Sequence, residues 1–144
     1  MPGRSCLTKT RVRFGETDAA GIVFYPTFYV WFDVGTHALL RAAAAPLADE
    51  SGRPRWPLPI VESGARFLAP LAYDDEIVIR STAAEIGTSS LRVEHVVNRG
   101  EVEVARGFET RVFIRREGGR IVAEPIPDEL RAALNEPAST EDWA

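Results

Sequence analysis

Pro26-Thr27-Phe28-Tyr29-Val30-Trp31-Phe32-Asp33-Val34-Gly35-Thr36-His37-Ala38-Leu39-Leu40 is the stretch that decides the fold of this 144-residue chain. Phe28, Trp31, Phe32, Gly35, Leu39 and Ala42 recur at i, i+3, i+4, i+7, i+11 and i+14, the period of a helix with one apolar face, and Pro26 suits its first turn. The spacing predicts a very apolar helix of about five turns, ending in the alanine run at 42–45. Residues 48–57 carry repeated Gly and Pro breakers and read as a loop.

On either side of this helix the pattern is that of strands. Residues 7–14 alternate loosely, with Val12 and Phe14 set against Arg11 and Arg13, and predict a first strand. Downstream, residues 58–71 alternate, Tyr73-Asp74-Asp75 turns, 76–85 resumes, and Gly87-Thr88-Ser89-Ser90 makes a hairpin turn. Residues 91–98 and 102–115 pair across Arg99-Gly100-Glu101, and Gly118-Gly119 leads into a short strand at 120–123. Residues 127–134 read as a short helix, and the tail at 137–144 is expected to fray. The order is β-α-β-β-β-β. One helix this apolar, followed by hairpin-linked strands, is best buried by an antiparallel sheet curling around it. That is an α+β hot dog fold, expected as a single domain over residues 1–136 followed by the tail. A sheet wrapped on one helix leaves edges and a face uncovered, so a homo-oligomer is expected, at least a dimer and more readily a dimer of dimers.

Composition excludes several function classes. Seventeen Lys and Arg against 21 Asp and Glu give a net charge of −4, without the basic stripe that nucleic-acid phosphates require. No stretch approaches the ~18 apolar residues of a membrane span and no apolar leader opens the chain, so a soluble, unprocessed protein is expected. The single cysteine, Cys6, has neither a disulfide partner nor metal or redox spacing, which points to a reducing compartment and hence the cytoplasm. His37 and His95 lack ligands at zinc spacing, and Gly118-Gly119 lacks phosphate-loop spacing, so neither metal nor cofactor is expected. No serine sits in a Gly-x-Ser-x-Gly context.

The chemistry is expected just before the helix, in Arg13-Phe14-Gly15-Glu16-Thr17-Asp18-Ala19-Ala20-Gly21-Ile22-Val23-Phe24-Tyr25. Asp18 is flanked by Ala, Gly and aromatic residues, an environment that solvates a carboxylate poorly and raises its proton affinity. It lies eight residues before Pro26, too far to cap the helix. Asp33 and His37 share a helical face at i and i+4 and form a local hydrogen-bonded or charge pair, while His95 falls on the apolar side of its strand as a packed core histidine.

These residues resemble the 4-hydroxybenzoyl-CoA thioesterase family of hot dog proteins, whose signature is a strand, Asp-x-(Ala/Gly)-Gly-(Ile/Val)-Val, an aromatic residue or His, and a helix. The likeness runs on through Trp31-Phe32-Asp33, Pro59-Ile60-Val61, Ala65-Arg66-Phe67 and Tyr73-Asp74-Asp75, covering nearly the whole chain. It implies hydrolysis of an acyl-CoA thioester in a pocket at a subunit interface. Asp18 is then the carboxylate that attacks the thioester carbonyl or activates water, two mechanisms left open, and the Tyr25 backbone N–H holds the thioester oxygen at the helix N-terminus. Gly21 allows close approach of backbone to substrate. Ile22, Val23, Pro26, Asp33, Leu58, Pro59, Ile60, Thr88 and Ser89 are the further substrate-binding positions that the resemblance implies. An aromatic residue at Tyr25, where short-chain relatives carry His, favours an aryl acyl group. The acid matching Asp33 accepts a ring hydroxyl in the aryl branch, but a Thr of that branch is Leu58 here, so benzoyl and other hydroxylated rings stand beside 4-hydroxybenzoyl. The Gly87-Thr88-Ser89 turn lacks the charges that some relatives offer to CoA phosphates, leaving Arg92, Arg115 and Arg116 as the cations for that task. The alternatives are a short- or medium-chain thioesterase of broad specificity and a non-catalytic acyl-CoA binding protein. A hydratase needs a loop His that is missing, and between Pro26 and Pro46 Asp33 is the only acid, so a helix-borne Glu mechanism is excluded.

Overall fold

The computed structural model describes residues 2–144. Helix α1 (Pro26–Ala44) spans 19 residues, and its predicted face buries Phe28, Trp31, Phe32, Gly35 and Leu39. It lies against a six-stranded sheet of order β2-β5-β4-β3-β1-β8, built from β1 (Ser5–Arg11), β2 (Ile60–Phe67), β3 (Glu76–Ile86), β4 (Ser90–Arg99), β5 (Val102–Val112) and β8 (Ser139–Trp143). A small hairpin, β6 (Ile114–Glu117) with β7 (Arg120–Ala123), and helix α2 (Asp128–Asn135) complete the chain. The sheet curls around the long helix, which is the hot dog architecture read from the sequence.

Close helix-to-sheet contact is made possible by small residues. A Cβ on Gly35 would overlap Ser81 Oγ on β3, and a Cβ on Gly107 of β5 would overlap the Phe32 ring. The apolar core accordingly divides along the helix. Phe28, Trp31 and Phe32 pack with Val12, Leu71, Ile77 and Ile79 at one end. Leu39 and Leu40 pack with Leu91, Leu130 and Leu134 at the other.

The first strand runs Ser5–Arg11 rather than 7–14, its expected end being taken by a 3-10 turn at Phe14–Glu16, and two larger features also depart from expectation. The tail at 137–144 does not fray: β8 pairs in parallel with β1, Ser5 opposite Ser139 through Lys9 opposite Trp143, and Arg41 on α1 binds Asp142 at 2.9 Å. The ladder satisfies backbone groups that a frayed tail would leave to water, and it covers one edge of the sheet. The alternating segment at 58–71 forms a shorter strand, β2, at the other edge, and neither of its faces is buried within the chain. Among the described residues no helix is long and apolar enough to cross a membrane.

Candidate active site

The segment between β1 and α1 folds into a tight antiparallel loop. After a 3-10 turn at Phe14–Glu16, Thr17 bridges Val23 and the Asp18 N–H donates to the Ile22 carbonyl at 2.9 Å. Gly21, at φ 79°, makes the reversal, a conformation that costs a residue with a Cβ about 1 kcal/mol or more. Asp18 Oδ1 accepts the Ala20 N–H at 2.9 Å, which leaves Oδ2 without a partner among the described residues. Asp18 is exposed in the protomer and not enclosed, because Ile22, Phe24 and Tyr25 turn their side chains outward rather than over it.

Glu16 fastens this loop to the helix. Its carboxylate accepts the Arg13 N–H at 2.7 Å and the Trp31 indole N–H at 3.1 Å, while its carbonyl accepts the Phe24 N–H at 2.9 Å. Nothing in the sequence reading singled out Glu16, although its spacing to Arg13 has the form of a capping pair.

Tyr25 is the N-cap of α1, and no described group accepts its N–H. Pro26 follows at the first helical position and carries no N–H. The Thr27 and Phe28 N–H groups are taken by Phe24 and Tyr25 carbonyls at 2.9 and 3.1 Å. One unclaimed donor therefore marks the positive end of a 19-residue helix, directly after the Asp18 loop. Beside it runs an apolar groove of about 340 Å3 whose lining includes Ile22, Val23, Tyr25, Phe28 and Phe67.

The other candidate positions form two further groups. Asp33 on α1 is joined to the 58–60 segment by Arg111 of β5, whose guanidinium binds Asp33 Oδ1 at 2.8 Å and the Leu58 carbonyl at 3.0 Å. His37 Nδ1 donates to the Asp33 carbonyl at 2.8 Å and lies 3.4 Å from Oδ1. His37 and Arg111 together hold the Asp33 carboxyl down to about 2, against the opposing effect of burial. The same pairing with Asp33 raises the His37 imidazole above 6.5. Thr88 and Ser89, in contrast, sit past the far end of β3 from Arg11 and the Asp18 loop, where their carbonyls bind Ile126, Arg131 and Phe113. A single protomer does not bring them to Asp18. Of the arginines considered for CoA phosphates, Arg115 is paired with Glu117 and Glu124, and Arg92 with Glu94 over the Phe108 ring. Among the described residues no cluster of three or more His, Cys, Asp or Glu is arranged to hold a metal.

The sequence matches the model of the Thioesterase-like superfamily over residues 12–134, which include the Asp18 loop, α1 and every strand from β2 to β7. The chain belongs to this superfamily. It is 32% identical over 139 residues to the 4-hydroxybenzoyl-CoA thioesterase of Pseudomonas sp. (strain CBS-3), a match spanning 86% of this chain and 93% of the relative. It is also 32% identical over 135 residues to the 1,4-dihydroxy-2-naphthoyl-CoA hydrolase of Synechococcus sp. (strain WH7803), covering 89% and 86%. A mutant 4-hydroxybenzoyl-CoA thioesterase solved with 4-hydroxybenzoyl-CoA superposes with a TM-score of 0.81 at 28% identity, covering 91% of this chain and 99% of that one. A gentisyl-coenzyme A thioesterase does so at 0.76 and 37%, covering 89% and 98%. The superfamily member is a hot dog thioester hydrolase.

Proposed function

We propose that this hot dog thioesterase hydrolyses an aromatic acyl-CoA, of benzoyl or hydroxybenzoyl type, to the free acid and CoA. The observation that carries the mechanism is the pairing of a carboxylate that has one unpartnered oxygen with an unclaimed N–H at a helix N-terminus, both on one clamped loop. Asp18 adds to the thioester carbonyl carbon, or takes a proton from the water that does. Negative charge gathers on the carbonyl oxygen, and the Tyr25 N–H with the α1 dipole stabilises it, a donor worth about 3 kcal/mol in a dry site. Collapse breaks the C–S bond and releases the CoA thiolate. If Asp18 itself has added, water then cleaves the acyl-aspartate anhydride and restores the carboxylate. Either route consumes one water per thioester.

Aryl specificity is supported by the aromatic groove beside Tyr25 and by relatives that act on hydroxybenzoyl-, gentisyl- and dihydroxynaphthoyl-CoA. A second copy of the chain completes the site in this reading. Asp18 is exposed in one protomer, and Tyr25, Val30, Val61 and Phe67 leave apolar surface uncovered around the free edge of β2. Pairing of that edge with its symmetry mate covers these side chains and withdraws water from the Asp18 loop. A dimer of two such dimers is the assembly we favour.

Thiol release from benzoyl-, hydroxybenzoyl-, phenylacetyl- and straight-chain acyl-CoAs tests the substrate class. Aryl-selective release is the expected result. Equal release from short straight chains would replace the aryl reading with that of a broad-specificity thioesterase, and tight binding without release would make the protein a carrier of acyl-CoA.

A further inference from the structure

The groove beside Tyr25 has a second wall, made by Leu68, Ala69, Pro70 and Leu71 in the link from β2 to β3. The Leu68 and Ala69 N–H groups both donate to the Val104 carbonyl of β5, at 2.8 and 3.2 Å, and the buried Leu71 side chain anchors the segment in the core. Between these anchors Pro70 has no N–H to give. Its carbonyl is held instead by Arg99, the last residue of β4 and 29 residues away in sequence, whose Nη1 donates to Pro70 at 2.8 Å and to Asp75 Oδ2 at 3.4 Å. Neither Arg99 nor Asp75 lines the groove.

Asp75 gathers the surrounding backbone. Its Oδ2 also accepts the Ala72 N–H at 2.8 Å, its own N–H donates to the Ala72 carbonyl at 3.2 Å, and its carbonyl accepts the Val12 N–H at 2.9 Å. Asp74 stands at φ 70°, in the left-handed region that favours glycine, so these bonds rather than backbone preference hold the turn at 72–75. The other side of the same segment carries the Asp18 hairpin. The Val23 N–H donates to the Leu71 carbonyl at 2.8 Å, Ile22 bridges Ala72, and the Asp18 N–H donates to the Ile22 carbonyl at 2.9 Å. Residues 70–72 are therefore bonded on one side to Arg99 and Asp75, and on the other to the arm of the hairpin that supports Asp18. A partly exposed ion pair adds little to stability, and the Arg99 and Asp75 side chains are 38% and 27% exposed. What distinguishes this pair is the segment it holds.

We propose that Arg99 and Asp75 are positioning residues, a strut that fixes the 70–72 segment and, through its bonds to Ile22 and Val23, sets the place of Asp18 relative to the groove and the N-terminus of α1. This rests on the proposed role of Asp18 in thioester hydrolysis. Without Arg99 the Pro70 carbonyl turns to water, the segment keeps its anchors only at either end, and the hairpin bonded to it follows its motion. A reacting group displaced by about 1 Å loses about 100-fold in rate, whereas the apolar core, to which the pair does not belong, is left intact.

The test combines amide hydrogen exchange with initial-rate thiol release from the acyl-CoA that wild type cleaves fastest. In Arg99→Met, exchange at Asp18 and Val23 should quicken about 10-fold or more, and by more than at Ile79 and Val93 in the core strands. The same variant should lose about 10- to 100-fold in kcat while Tm falls by about 3 °C or less. Arg99→Lys keeps a cationic donor and should recover part of both losses. Asp75→Asn keeps an acceptor for the Ala72 N–H and should lose less than Arg99→Met; added to Arg99→Met, it should lower kcat no further, because the two residues act as a unit. If Arg99→Met does not fold, Arg99→Lys and Asp75→Asn carry the same comparison. Hairpin exchange at the wild-type rate, or an unchanged kcat in a variant whose hairpin exchanges faster, overturns the proposal. Equal acceleration in the hairpin and the core strands assigns the pair to overall stability and overturns it as well. Faster hairpin exchange in Arg99→Met, with no thiol released by wild type from any acyl-CoA, would sink the thioesterase reading and leave the link from Arg99 to the hairpin standing.

Discussion

Replacing Glu16 by Ala is expected to destabilise the enzyme and to slow it, for a single structural reason. The Trp31 indole N–H lies 3.1 Å from Glu16 Oε2, and Trp31 is only 3% exposed. Truncation leaves that donor buried without a partner, at a cost of about 2 kcal/mol. The Arg13 N–H, which loses its 2.7 Å bond to Oε1, is exposed and turns to water, so it adds little. For a chain of this length about 2 kcal/mol lowers Tm by about 6 °C. Glu16→Gln keeps one acceptor oxygen and should lose roughly half as much. Because Asp18 lies two residues along the same loop, a loosened clamp should also lower kcat by about 10- to 100-fold, the penalty for a reacting group displaced by about 1 Å, with a smaller change in KM. Calorimetry at fixed protein concentration and initial-rate thiol release measure the two effects. An unchanged Tm for Glu16→Ala would refute the clamp. A lowered Tm with unchanged kcat would show that the clamp does not hold the carboxylate proposed to react.

Other perturbations probe separate features. Gly35→Ala places a methyl group on Ser81 Oγ and should cost about 1–3 kcal/mol by forcing α1 off the sheet, seen as a lower denaturant midpoint with an unchanged m-value. Asp33→Asn removes the group that raises His37, so the His37 titration followed by NMR should move down in pH; a titration that does not move would assign the elevation to another group. The pH dependence has a definite sign. Stability from Asp33 is complete above its unfolded value of 3.8 and is lost as pH falls toward about 2. Stability from His37 is complete below 6.5 and is lost as pH rises through its elevated folded value. Ending the chain at Pro137 deletes β8 and bares the β1 edge, which should lower Tm and promote concentration-dependent association, read by light scattering.

The long helix was legible because Phe28, Trp31, Phe32 and Leu39 keep helical period under one apolar face, and the hairpins because glycine-bearing turns separate β-branched runs. The tail was not. Ser139-Thr140-Glu141-Asp142-Trp143 is polar and forms a strand only because β1 offers it an edge, a tertiary opportunity that no local pattern announces. The loop that carries Asp18 up to the N-cap Tyr25 was legible from its position before the helix, but the enclosure expected around Asp18 is absent, since apolar neighbours in sequence enclose a group only when the chain turns them inward. The pairing of Asp33 with Arg111 was likewise invisible, because 78 residues separate them and the link depends on the registers of β4 and β5. Glu109 and Arg111 alternate with Thr110 like any charged residues on a strand. Only the structure shows that both face inward.

The most direct test compares wild type with Asp18→Asn in single-turnover hydrolysis of the acyl-CoA that wild type cleaves fastest, with Tm and substrate affinity measured on the same preparations. The variant is expected to keep its fold and bind substrate while releasing thiol at a rate lower by several orders of magnitude. Thiol release at the wild-type rate from a folded Asp18→Asn enzyme would contradict it and move the chemistry to another group.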